Sequence, residues 1–126
     1  MCVFSPMAAG LLSGKYLKDR EPIEGARFSL AHLGYRYNQP YWNEANLSAV
    51  ETLKQIALDH GRDLPVFSLA WALSSPAITA VVCGATSVAQ LEQNLKAVEE
   101  TISDEARDAC DAVWHQLRPR QLFYGR

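Results

Sequence analysis

Residues 78–94 limit the possible folds of this chain more than any other stretch. They begin with an apolar run typical of a β-strand over 78–83, turn at Gly84, and continue from Val88 as an amphipathic helix. A strand, a tight turn and a helix in this order are typical of a βα unit in a parallel sheet. We therefore expect an α/β fold in which Ser87 caps the helix.

The turn of this unit is a favourable place for an anion. The first N–H groups of a helix have no partner within it, and the helix dipole adds partial positive charge at the same end. Thr86 supplies a hydroxyl, and the amides of Gln90, Gln93 and Asn94 fall on one arc of the helix. The turn could hold a phosphate while the amides meet a base or sugar. The alternative is an ordinary capped helix with solvated amides.

The same helix has an apolar face. At about 100° per residue, four aliphatic side chains fall within one narrow arc, namely those of Val88, Leu91, Leu95 and Val98. We expect this stripe to be buried against the rest of the domain.

The remaining segments continue the alternation of strand and helix. Residues 2–4 are predicted to end a strand, two helices are predicted between residues 46 and 75, and another follows the cap residue Ser103. Residues 17–45 form a long βα loop with little periodicity and five aromatic residues. Such a loop is either a lid over a ligand or an irregular segment packed on its own domain.

The number of strands predicts an incomplete structure. Parallel sheets normally have both faces and edges covered, and two strands do not make a stable sheet. The chain offers about two βα units and a C-terminal helix, whereas a closed (β/α)8 TIM barrel has eight units. We expect the C-terminal part of such a barrel, with about 180–200 further residues ahead of Met1. The unpaired strand edges predict self-association.

Composition argues against several classes of function. The net charge of −2 over 126 residues gives no general attraction to nucleic acid or to an anionic membrane. No apolar run approaches the roughly 20 residues of a membrane-spanning helix. The three cysteines and three histidines are scattered, so we expect no metal site and a reducing, cytoplasmic setting.

Two motifs at a matching separation resemble segments of the aldo-keto reductase family. Residues 5–16, SPMAAGLLSGKY, are similar to the S-P-L-x-x-G-x-L-(S/T)-G-K-Y loop after the seventh barrel strand of those proteins. Residues 76–94 resemble the end of their eighth strand and the helix that follows. The resemblance covers nearly the whole chain. It is greatest to the long-loop branch, which includes bacterial reductases and potassium-channel β subunits.

The resemblance implies a (β/α)8 barrel that binds NADPH at the C-terminal face of its strands, with NADH not excluded. By motif, the pyrophosphate and its covering loop would be lined by Ser5, Pro6, Met7, Gly10 and Lys15, with Arg27 near the 2′-phosphate. The 2′-phosphate end would be held by Gly84, Thr86 and Gln90, and the adenine edge by Gln93 and Asn94. Many relatives have Arg or Lys at the position of Gln90, so the choice between NADPH and NADH stays open.

The resemblance also implies a reaction, the reduction of aldehydes and ketones to alcohols, with a small-molecule carbonyl substrate in the complete protein. The Tyr, Lys, Asp and His that act on the carbonyl in this family lie in the first half of the barrel. No tyrosine or histidine of this chain matches their motifs, so no catalytic residue is assigned. Two alternatives remain: a non-catalytic, NADPH-binding regulatory subunit, and the inactive remnant of a truncated gene.

Overall fold

The computed structural model describes residues 1–16, 18, 20–30 and 41–117, which form an α/β arrangement. Two three-residue strands, β1 (Cys2–Phe4) and β2 (Ala80–Val82), pair in parallel, with Phe4 opposite Val82. The four helices are α1 (Glu44–Asp59), α2 (Leu64–Leu73), α3 (Val88–Lys96) and α4 (Asp104–Leu117). Two 3-10 helices cover Ala8–Ser13 and Arg27–Ser29. The predicted order of strands and helices is confirmed, and so is the parallel pairing of the two strands.

The helix ends follow local sequence signals. α1 begins two residues before the predicted start, because the Asn43 side chain accepts a hydrogen bond from the Asn46 N–H. It ends just before Gly61, whose φ of +67° suits the left-handed turn that follows many helices. Ser103 caps α4 as predicted, since its Oγ accepts from the Ala106 N–H.

The core lies where α1, α2 and α4 meet. Phe67 and Leu69 of α2, Ala57 of α1 and Cys110 of α4 are all buried there. Burial, and then the neighbouring Asp111 carboxylate, raise the pKa of the Cys110 thiol to about 11. This thiol therefore stays protonated at neutral pH and behaves as a small apolar side chain.

The long loop after β1 shares this core wherever the structure describes it. Phe28 is buried, and its ring lies 5.1 Å from that of Tyr16 and 5.2 Å from that of Trp42, measured between centroids. These contacts favour an irregular segment packed on its own domain over a lid. Residues 17, 19 and 31–40 of the predicted loop lie outside the described residues.

The expected burial of the apolar stripe on α3 is wrong for this chain. Its four side chains are between 49% and 73% exposed: Val88, Leu91, Leu95 and Val98. α3 packs on α2 through another side, and Ala97, directly after the end of α3, is buried. An apolar stripe is buried only if a second layer faces it, and within the described residues β2 is the edge of the sheet on this side. Phe4 and Val82 are exposed on the open sheet face for the same reason.

Because of this difference in burial, replacing leucine with alanine should lower the free energy of unfolding by different amounts at a core position and on the exposed stripe. Leu69→Ala, in the core, should lower the free energy of unfolding by about 2–5 kcal/mol. Leu91→Ala, on the exposed stripe, should lower it by less than about 1 kcal/mol. Urea unfolding followed by circular dichroism measures both values. Similar losses at the two positions would contradict the described exposure of α3.

Candidate functional site

The two glycine-containing turns lie at the same edge of the sheet. Because β1 and β2 are parallel and Phe4 lies opposite Val82, the segments after them leave from the carboxyl ends of neighbouring strands. In barrels and open sheets of parallel strands, ligands bind at this edge. The fold therefore brings together two motifs that are far apart in the sequence.

The turn after β1 has an unusual backbone. Ser5, Ala8 and Ala9 have φ values of +55°, +46° and +59°, a left-handed region that residues with a Cβ seldom adopt. Gly10 follows with a φ of +98°. Pro6 is half-buried, and Met7 packs against the core, which holds the segment in place. Strain of this kind is concentrated at ligand clamps and turns.

The two basic residues of the predicted site lie in different surroundings. Lys15 is exposed, and its Nζ lies 5.0 Å from the centroid of the buried Tyr16 ring. It therefore places a positive charge at the end of the first turn. Arg27 is exposed on the second 3-10 helix, beside Phe28, and belongs to the long loop rather than to either turn.

The turn after β2 is closed by side chains of its own helix. Ser87 Oγ accepts from the Gln90 N–H at 3.2 Å, which confirms the predicted cap. Gln90 Oε1 accepts from both the N–H and the hydroxyl of Thr86, at 2.8 and 2.9 Å. This is a variant of the capping box, in which the third helical residue reaches back past the cap. The pattern Ser-x-x-Gln signals such a contact, whereas the sequence interpretation placed the Gln90 amide either on a ligand or in solvent.

A second contact fixes α3 to the end of β2. Asn94 Nδ2 donates to the Gly84 carbonyl oxygen at 3.4 Å and lies 3.7 Å from Cys83 Sγ. Gln93 is half-buried beside it. The contact with Cys83 was not predicted, since no sequence signal links a cysteine at the end of a strand to an amide eleven residues further on. It gives Asn94 a role in setting the angle between strand and helix.

The geometry of the two turns fits an extended anionic ligand. A Cβ added to Gly10 or to Gly84 would meet no atom within 4 Å, so both turns face open space. The two Thr86 donors converge on one point at the N-terminus of α3, and Lys15 supplies a cation at the other turn. Backbone N–H groups, a hydroxyl and an ammonium group are the donors that phosphates require.

Other parts of the described chain are weaker candidates for a binding site. A cavity of about 300 Å³ lies near the ends of α2 and α3, lined among others by Ser74, Glu100 and Arg107, but by no residue of either turn. Within residues 1–16, 18, 20–30 and 41–117, no three His, Cys, Asp or Glu side chains form a group that could hold a metal ion. No helix in those ranges combines the length and hydropathy of a membrane-crossing segment.

Comparison with known proteins identifies relatives over most of the chain. The model of the Aldo/keto reductase family matches residues 1–115. A probable voltage-gated potassium channel subunit beta of Oryza sativa subsp. japonica is 33% identical over 123 residues, which cover 96% of this chain and 37% of that protein. The L-glyceraldehyde 3-phosphate reductase of Escherichia coli O157:H7 is 35% identical over 104 residues, 81% of this chain and 30% of that protein.

A solved structure shares the fold. The glycerol dehydrogenase of Gluconobacter oxydans superposes with a TM-score of 0.69 at 20% identity, covering 98% of this chain and 36% of that one. This likeness agrees with the observed α/β arrangement around a parallel strand pair. The chain spans between 30% and 37% of the length of the three relatives named here.

The same substitution at the two turn glycines should change stability by different amounts. Gly10→Ala should lower the free energy of unfolding by about 1–2 kcal/mol, because a Cβ is unfavourable at a φ of +98° even in open space. Gly84→Ala should change it by less than about 0.5 kcal/mol, since its backbone is outside the left-handed region and the space is open. Thermal unfolding of both variants measures the difference. Equal losses would contradict the described backbone of the first turn.

The family assignment rests on sequence as well as on fold. The family match runs from β1 almost to the end of α4 and includes both turns. Two relatives above 30% identity cover four fifths or more of the chain. Nicotinamide dinucleotides are the cofactors of this family, and phosphate-bearing ligands of that kind suit the donors at the two turns. The chain belongs to the aldo/keto reductase family.

Proposed function

We propose that this chain is the cofactor-binding C-terminal part of an NADP(H)-dependent aldo-keto reductase that reduces aldehydes or ketones to alcohols. The observation that carries this proposal is the parallel pairing of β1 with β2, which unites residues 5–15 with residues 84–94 at one edge of the sheet. Family membership supports it, as does the similarity to a protein named as an L-glyceraldehyde 3-phosphate reductase.

In the proposed complex the dinucleotide lies across this edge. The Gly84–Thr86 turn and the N-terminus of α3 receive the 2′-phosphate, and Gln93 and Asn94 meet the adenine. Lys15 and the backbone of residues 5–10 bind the pyrophosphate, where the ammonium charge stabilises the anion. The bound nicotinamide supplies the hydride that reduces the carbonyl. The residues of this chain bind and orient the cofactor rather than act on the carbonyl.

In this proposal β1 and β2 are neighbouring strands of an incomplete TIM barrel. Completion of the barrel would bury the exposed Phe4 and Val82 in the barrel interior, and the neighbouring βα unit of the closed barrel would cover the α3 stripe. Without that completion, the same apolar surface and the two open strand edges would favour self-association. In this proposal, these side chains are exposed because the neighbouring parts of the barrel do not cover them.

A second candidate is a non-catalytic, NADPH-binding regulatory subunit. It is favoured by 33% and 35% identity to proteins of Oryza sativa and Arabidopsis thaliana that are named probable voltage-gated potassium channel subunits beta. The two candidates share the cofactor site. They differ in whether the complete protein supplies a proton donor to a carbonyl beside the nicotinamide.

Removal of one lysine charge tests the cofactor site. The unmodified chain should bind NADPH, and Lys15→Met should weaken binding about tenfold, because a hydrogen bond between charged groups is lost. Lys18→Met, which removes a lysine paired with Glu44 at 3.3 Å, should change the affinity by less than about twofold. Calorimetric titration measures all three affinities. No binding by the unmodified chain, or equal weakening in both variants, would contradict the proposed site.

The chain alone should not catalyse the reaction. The resemblance places the proton donor and its partners outside these 126 residues, so the purified chain should not oxidise NADPH in the presence of 4-nitrobenzaldehyde. The loss of NADPH absorbance measures this, with a complete aldo-keto reductase as the positive control. Steady NADPH oxidation that depends on the aldehyde would contradict the division of roles proposed here.

A further inference from the structure

We propose that the cavity near the ends of α2 and α3 binds a small aliphatic carboxylate, and that Arg107 holds the charged group of this ligand. The cavity has a volume of about 300 Å³, which is at the lower end of the range for small-molecule sites. It lies at the opposite end of α3 from the turn after β2, and no residue of either turn lines it. This second site is therefore separate from the proposed cofactor site and does not depend on it.

The apolar part of the cavity wall suits an aliphatic chain. It comes from α2 and from the residues between α3 and α4, namely Ala70, Leu73, Ala97, Val98 and Ile102. Three of these side chains, those of Ala70, Ala97 and Ile102, are buried and belong to the core, so this part of the wall is held in place. An alkyl chain that contacts this wall is removed from water, which favours binding.

The two charged side chains of the cavity wall differ in how well they are paired. Glu100 accepts a hydrogen bond from Arg62 Nε, so its negative charge has a cationic partner. Arg107 Nη2 lies 2.9 Å from Asp104 Oδ1, but the Nε–H of the same guanidinium is buried and has no hydrogen-bond partner among the described residues. A buried donor without an acceptor is unfavourable. The group that lacks a partner is thus a cationic donor, which favours an anionic acceptor.

A carboxylate matches the shape of this donor. Nε and Nη2 lie on the same side of a guanidinium and can donate two parallel bonds to the two oxygens of one carboxylate. Asp104 accepts from Nη2 alone, and its side chain is 90% exposed, so this ion pair contributes little stability. Because Nε is shielded from solvent, the ligand reaches it when the guanidinium turns from Asp104 towards the cavity. The ligand then replaces a weak ion pair with a bidentate one.

The test follows the binding of hexanoate to the isotope-labelled full chain by NMR. Hexanoate should shift the Arg107 Nε–H resonance and the backbone resonances of residues 97–102 in a saturable way, with a dissociation constant of about 1 mM. Two further probes separate the parts of the ligand, since 1-hexanol lacks the charge and acetate lacks most of the chain. Each should bind at least about tenfold more weakly than hexanoate.

Three substitutions test the role of Arg107. Arg107→Met removes the cation and should weaken hexanoate binding at least about tenfold. Asp104→Asn removes the competing carboxylate and should strengthen binding about threefold. Lys54→Met is the matched control, because it removes one positive charge from an exposed position on α1 and should leave the affinity unchanged. Since Asp104 is exposed, its variant tests the inference even if Arg107→Met does not fold.

Several results would overturn the inference. These are the absence of a saturable shift around the cavity, equal affinities for hexanoate and 1-hexanol, and equal affinities for hexanoate and acetate, which would indicate an adventitious ion only. Unchanged hexanoate binding by a folded Arg107→Met, or no gain of affinity in Asp104→Asn, would also overturn it. Because these titrations contain no NADPH, their outcome leaves the proposed cofactor site untouched.

Discussion

The pairing of β1 with β2 is the interaction on which the rest of the arrangement depends. Each strand has three residues, and they align Phe4 with Val82, so that the chain turns away at the same level on both strands. The pairing continues past the strands, since the Thr79 N–H donates to the Met1 carbonyl at 2.8 Å. Val81 packs against the core beneath it. Without this register, the positions of the two turns relative to each other would not be fixed.

The same pairing explains in physical terms why several apolar side chains are exposed. A parallel strand needs neighbours on both edges and a layer on each face, and here one face carries the helices. The exposed side chains Phe4, Val82 and the α3 stripe lie on the surfaces that a further layer would cover. Their exposure and the length of the relatives, of which this chain spans about a third, both fit part of a larger barrel.

Local signals allowed the sequence to predict much of this structure. The caps at Ser87 and Ser103 depend on residues within one turn of helix, and both are confirmed. The burial of Leu91 and its neighbours was predicted wrongly, because periodicity identifies an apolar face but not the layer that faces it. The left-handed backbone of Ala8 and Ala9 had no signal, since alanine seldom adopts it.

The candidate site likewise has features that the sequence predicts and features that it does not. Its glycines, its capping serine and its lysine were identified by motif, and strand pairing brought the two motifs together. The contact between Gln90 and Thr86 is local and could have been predicted from the Ser-x-x-Gln pattern. The contact between Asn94 and Cys83 depends on the angle between β2 and α3. Such an angle is set by packing, and no short motif encodes it.

The most direct measurement is the mapping of NADPH-induced NMR shifts along the full chain. If one dinucleotide lies across the paired turns, resonances in residues 5–15 and in residues 84–94 shift together, with a single dissociation constant. Resonances around the cavity near Arg107 remain unchanged. Shifts confined to one turn, different dissociation constants for the two turns, or shifts only around Arg107 would contradict a shared dinucleotide site.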